Sequence, residues 1–243
     1  MTETAELPAY RVRRSTRAHR ARLTIGESGE AIVVLPAGAA ERTAAELVAK
    51  HARWVEHHRQ RIGRRNAALA ARPAVGAGRP LRLAGIDHAV VVEKYIEDRR
   101  RTTVELACEH EPPTIIVRWA ADDARATPAI VERWLRDKAR RLILERVAAR
   151  SAEMNVSPAG VSIRDQRTRW GSASHHGTLS FSWRLVLCPP EILDYVVVHE
   201  LAHLRVRGHS TSFWSLVRRH FPDPERARWW LRDNHAALQH ALD

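Results

Sequence analysis

The chain has 243 residues, 44% hydrophobic and 28% charged, with 40 basic side chains against 28 acidic ones and a formal charge of +12. That length and balance suit a globular protein with a sizeable buried core. The acidic start MTETAELPAY lacks an apolar leader and no apolar run is long enough to cross a bilayer, so neither a secretory signal nor a membrane span is expected.

In chain order, residues 11 to 35 read as strands: Arg11–Arg13, Arg20–Ile25 and the apolar run Ala31–Leu35, with turn chemistry from Gly26 to Gly29. Thr43 and Glu46 form a capping-box pair, which predicts one helix carrying Leu47, Trp54 and Ile62 toward residue 70. After the Gly/Pro/Ala-rich break at Arg72–Pro80, two or three further strands are expected, with Leu81–Leu83, His88–Val92, Val104–Ala107 and Thr114–Trp119 as candidates. Thr127 as cap and Pro128 as first helical residue open a long helix, with apolar positions from Ile130 to Val147 at helical spacing. Strands at Val161–Gln166 and Thr178–Leu187 come next, joined by a polar loop through Gly171 and Gly177. A helix spans Glu191–Val206, and two shorter ones lie near 210–220 and 224–239, the second capped by Asp223. This is an α+β chain, with a β-rich N-terminal region with a helix over 1–125 and a second domain over 126–243.

Cys108 and Cys188 form no CxxC pair and suit a reducing cytoplasm, both read as packed rather than reactive. The charge admits attraction to nucleic acid through a basic surface. Scattered arginines on a solvated face are the simpler account, because the clusters follow no single motif.

Chemistry concentrates in Val198-His199-Glu200-Leu201-Ala202-His203, an HExxH pattern. Two histidines four apart on a helix stack on one face and can reach a single ion, while the glutamate between them can take a proton from metal-bound water. The surrounding helix is apolar nearly all round, and burying two imidazoles and a carboxylate there calls for a strong partner such as zinc. Gly208-His209 follows at the expected helix end and can return a third ligand. The interval from His199 to His209 is that of HExxHxxGxxH, but Val206 stands where that motif has glycine and no methionine follows, which argues against a metzincin.

Further segments accompany this pattern: Arg169-Trp170-Gly171-Ser172, Leu179 to Leu185, Tyr195 to His203, and His209-Ser210 with Phe213-Trp214. Together they resemble the YgjP-like metallopeptidase family, related to the SprT and Spartan-type proteases. The resemblance implies a zincin-like catalytic domain holding one Zn2+ through His199, His203 and His209, with Glu200 as the catalytic glutamate of a zinc-dependent peptidase. A protein or peptide would be the substrate, hydrolysed by zinc-bound water that Glu200 deprotonates. Ala173 stands where members commonly have cysteine, so no thiol is required there, and no clustered cysteines follow Cys188 to make a zinc ribbon. Arg169 and Trp170 are candidates for positioning substrate or a developing oxyanion, Tyr195 or His220 for an electrophilic hydrogen bond, and Thr178–Leu187 for pairing with an extended substrate. Trp214 is expected to pack beneath the metal site. Two alternatives stay open: a DNA-associated protease acting on nucleic-acid-bound proteins, and a non-catalytic zinc or polyanion-binding protein.

Overall fold

The structure, a computed structural model, describes residues 7–26, 28–94, 101–120, 123 and 125–243. Among them are six α-helices and three small sheets, and the chain divides into two compact units after Arg72.

In the first unit, strands β1 (Tyr10–Ser15), β2 (Arg22–Ile25) and β3 (Ala31–Pro36) form a sheet ordered β1-β3-β2. The apolar run puts β3 at its centre, where Val33 and Leu35 pack with Ala44 and Val48 of helix α1 (Arg42–Lys50). The expected capping box does not form. Helix α1 starts at Arg42 with Glu41 at the cap and no side-chain cap bond, so Thr43 already lies inside the first turn. The single helix expected here is two, because at His51 the backbone leaves helical values (φ −115°, ψ 20°) before α2 (Ala52–Ala70) begins.

The second unit opens with a four-stranded sheet ordered β4-β5-β7-β6, built from β4 (Leu81–Leu83), β5 (Ile86–Lys94), β6 (Thr103–Ala107) and β7 (Thr114–Trp119). Helix α3 (Thr127–Met154) follows, with Ala126 rather than Thr127 as cap, and ends where Asn155 takes φ +50°. A second sheet, ordered β8-β10-β9, contains β8 (Gly160–Arg164), β9 (Gly171–Ala173) and β10 (Thr178–Ser182). The chain then winds through a 3-10 turn, Trp183–Leu187, into α4 (Pro190–Ala202), α5 (Thr211–His220) and α6 (Pro224–Gln239).

This division differs from the 125/126 boundary read from sequence. The β4–β5 turn hydrogen-bonds directly to the 3-10 segment, Ala84 N–H to Val186 O at 2.9 Å and Gly85 N–H to Leu187 O at 3.1 Å. One continuous core runs from Val75 and Ile115 through Ile130, Leu135 and Ile143 of α3 to α4. The β4–β7 sheet therefore belongs with the C-terminal helices. Cys188 is buried in this core as expected, whereas Cys108, in the turn after β6, is exposed.

Candidate active site

Helix α4 buries ten of its thirteen residues, from Ile192 to Ala202. At roughly 1.5–3 kcal/mol for each fully buried large aliphatic side chain, this burial holds the helix against motion. Pro190 opens it and the 3-10 turn anchors its start. It ends at Ala202, so His199 and Glu200 lie in its last turn and His203 is the C-cap, earlier than the Val206 end expected from sequence. The chain then turns through Gly208, at φ +74°, a left-handed value glycine adopts without strain, and brings His209 back.

The ligand atoms of His199, His203 and His209 lie within 4.8 Å of one another, with the two Nε2 atoms of His199 and His209 3.1 Å apart. Two imidazole nitrogens bound tetrahedrally at zinc distances would stand about 3.4 Å apart. Two of the remaining nitrogens are engaged elsewhere: His203 Nδ1 is 3.3 Å from Val206 O, and His199 Nδ1 is 3.3 Å from the Tyr195 hydroxyl. In that tautomer each Nδ1–H donates outward and leaves the Nε2 lone pair pointing at the shared point, the usual support for a metal-binding histidine. The donor set fits a divalent cation. Burial and the neighbouring imidazoles push His199 down to about 3, and burial likewise lowers His203, so these rings stay neutral and able to coordinate. Beneath them lies Phe213, fully buried, its ring stacked 4.4 Å from that of His203. Trp214, expected in that place, is half-buried instead and stacks on His209 at 5.7 Å.

Among the described residues none forms an ion pair with Glu200, which is buried. Burial raises its carboxyl to about 7, against a smaller opposing pull from the Arg169 charge. Two clefts open at Glu200 and share Gly171, His199 and Glu200 as walls. One, of about 750 Å³, is lined by Trp170, Tyr195, Leu231 and the α6 arginines Arg228 and Arg232. The other, of about 620 Å³, is lined by Arg169, Ser172, His175, Arg207 and His209. Arg169 and Trp170, adjacent in sequence, thus line different clefts, each of which has Glu200 in its wall. Of the two hydrogen-bonding candidates, Tyr195 lines the larger cleft, while His220 is engaged 3.1 Å from Glu153 and lines neither.

Two features escaped the sequence reading. A Cβ on Gly171 would lie 2.6 Å from Glu200 Cγ and 2.7 Å from its Oε1. The carboxylate approaches this glycine more closely than a Cβ would allow, so a side chain here would make Glu200 shift. The second is β9, which reads as loop. Strand β10, expected to pair with substrate, is the central strand and is occupied on both sides, by β8 and β9. Its last residues, Trp183–Leu187, are not strand at all. The free edge beside Glu200 belongs to β9. Trp170, Ser172 and Ser174 bond toward β10, so by antiparallel alternation the N–H and C=O groups of Gly171 and Ala173 face away from it.

The profile of the YgjP-like, metallopeptidase domain family matches residues 19–234. No curated protein matches the chain. A solved structure, the metallopeptidase zymogen of Pyrococcus abyssi abylysin, is similar over 37% of this chain and 93% of its own, with 22% identity and a TM-score of 0.35. Among the described residues, no helix is long and apolar enough to cross a membrane.

Proposed function

The chain belongs to the YgjP-like metallopeptidase family, and on that premise we propose that it is a zinc-dependent peptidase in which His199, His203 and His209 hold the metal and Glu200 is the general base. The observation that carries this reading is the convergence of three imidazoles beside a buried carboxylate that has a glycine against it. A bound zinc ion supplies Lewis acidity, bringing the pKa of water to about 7 and polarising a carbonyl. Glu200 takes the proton from water as it attacks the peptide carbonyl, then passes that proton to the departing amine. The two clefts leave room for polypeptide on both sides of that carboxylate.

The outward-facing backbone of Gly171 and Ala173 would pair with an extended substrate segment as an added strand. Arg169 and Trp170, immediately before β9, would then contact the substrate in different clefts, and Tyr195, whose oxygen accepts from His199 Nδ1, orients that imidazole.

The test is Glu200→Gln. It should retain about one zinc per chain by elemental analysis while peptide hydrolysis falls on the order of 10²–10⁴-fold, the usual contribution of a general acid–base group. Cleavage at the wild-type rate in a zinc-loaded Glu200→Gln protein refutes the assignment.

A further inference from the structure

The larger cleft carries more positive charge than the proposed hydrolysis uses. Arg228 and Arg232 are four residues apart on α6, so they project from one face of the helix, and both line the cleft that opens at Glu200. Among the described residues, neither is in an ion pair. The cleft has two carboxylates in its walls. One is Glu200, and the other, Glu225, is paired with Arg218, which does not line it. The Arg228 guanidinium lies 4.8 Å from the centre of the Trp214 ring, a contact that fixes its position without neutralising it. The remaining walls include Trp170, Val196 and Leu231, and Trp229, 56% exposed.

Guanidinium groups beside apolar, partly water-excluded walls bind carboxylates by charge-assisted, often bidentate hydrogen bonds. The smaller cleft has the same bias, with Arg169 and Arg207 and no carboxylate except Glu200. We infer that the larger cleft is a carboxylate subsite, so that the substrates are peptides presenting a carboxylate near the scissile bond, held by Arg228 and Arg232. This rests on the peptidase reading and narrows it to a substrate class. The hydrocarbon part of the bound residue would lie against Trp170 and Leu231. The carboxylate has two sources, an Asp or Glu side chain or the α-carboxylate at a peptide C-terminus.

Zinc-loaded Glu200→Gln protein, which binds without cleaving, allows affinity to be read by fluorescence anisotropy with labelled peptides. The set contains a Glu-bearing peptide, its Gln counterpart, its Lys counterpart, and each with an amidated C-terminus. Loss of the recognised carboxylate should weaken binding about 10-fold or more, the range of a hydrogen bond to a charged group. Sensitivity to Glu→Gln identifies a side-chain carboxylate, and sensitivity to amidation identifies a C-terminal one. Adding Arg232→Glu, at an exposed position that folding tolerates, should reverse the preference toward the Lys peptide; Arg228→Gln should reduce it. Binding that stays within twofold across the whole peptide set, no binding by any peptide, or a preference untouched by Arg232→Glu overturns the inference. The parent reading fails separately, if wild-type protein cleaves none of these peptides while the carboxylate preference persists.

Discussion

Among the described residues, α2 and α4 both carry closely spaced histidines, and the two sets differ in helical phase, in burial and in the company of a third imidazole. In α2, His57 and His58 are neighbours, so their side chains leave the helix about 100° apart and cannot face one ion. That helix buries a single residue, Val55, and His58 turns its Nδ1 to Trp54 O at 2.9 Å. In α4, His199 and His203 are one turn apart, the helix between them is almost wholly buried, and a third imidazole returns to meet them. Histidine content is therefore a poor guide. Helical phase, burial of the helix, and a third imidazole within reach distinguish the two.

The sharpest way to break this comparison is to remove one histidine from each helix. His203→Ala should abolish stoichiometric zinc binding and all hydrolysis, whereas His57→Ala and His58→Ala should leave one zinc per chain and full activity. Elemental analysis and a peptide assay decide it. Zinc retained by His203→Ala would mean that the convergence of imidazoles is incidental.

A smaller effect is expected next to the carboxylate. Gly171→Ala places a methyl where Glu200 now lies, so the carboxylate must shift. Misplacement by about an ångström can cost up to about 10²-fold, and a drop of about 10- to 100-fold in kcat/KM at unchanged zinc content is the expected result. An unchanged rate would show that Glu200 can retreat without loss.

The same helices differ in stability. Leu201, fully buried in α4, should cost about 2–5 kcal/mol when truncated to Ala, while Trp54→Ala on α2, where the ring is 41% exposed, should stay within about 0.5 kcal/mol. Urea denaturation of each variant measures both.

Much of this arrangement was legible in the chain, and the rest was hidden for definite reasons. Periodicity and proline positions placed α3, α5 and α6 closely, and the β7 limits Thr114–Trp119 agree with the structure residue for residue. The interval from His199 to His209 announced residues that the structure does bring together. Strand β9 was not legible, since Gly-Ser-Ala has little strand propensity of its own and is extended only because β10 pairs with it. That β10 is central, and so closed to substrate, is a property of sheet order that no local pattern records. Arg228 and Arg232 looked like two more arginines among many, because their place in the cleft depends on how α6 packs against α4. The role of Gly171 was masked by the more common use of glycine in turns.

The smallest effect concerns how α5, which carries Phe213 under the imidazoles, is tied to α3. Glu153, in the last turn of α3, accepts a hydrogen bond from His220 at the end of α5, 3.1 Å away, and also pairs with Arg150. These two contacts, His220 first, hold its carboxyl below the usual glutamate range. A depressed folded-state pKa contributes stability that is complete above the unfolded value, about 4.3, and is lost as pH falls through the folded one. The side chain is 47% exposed, so solvent and salt screen the interaction. Glu153→Gln should therefore lower stability at pH 7 by only about 0.2–1 kcal/mol, and its gap from wild type should close as the solution is acidified below about pH 4. Denaturation midpoints at pH 7, 5 and 3.5 measure the gap. A gap that widened on acidification would have the wrong sign for a carboxylate held in its charged form, and the tie between α3 and α5 would have to lie in packing alone.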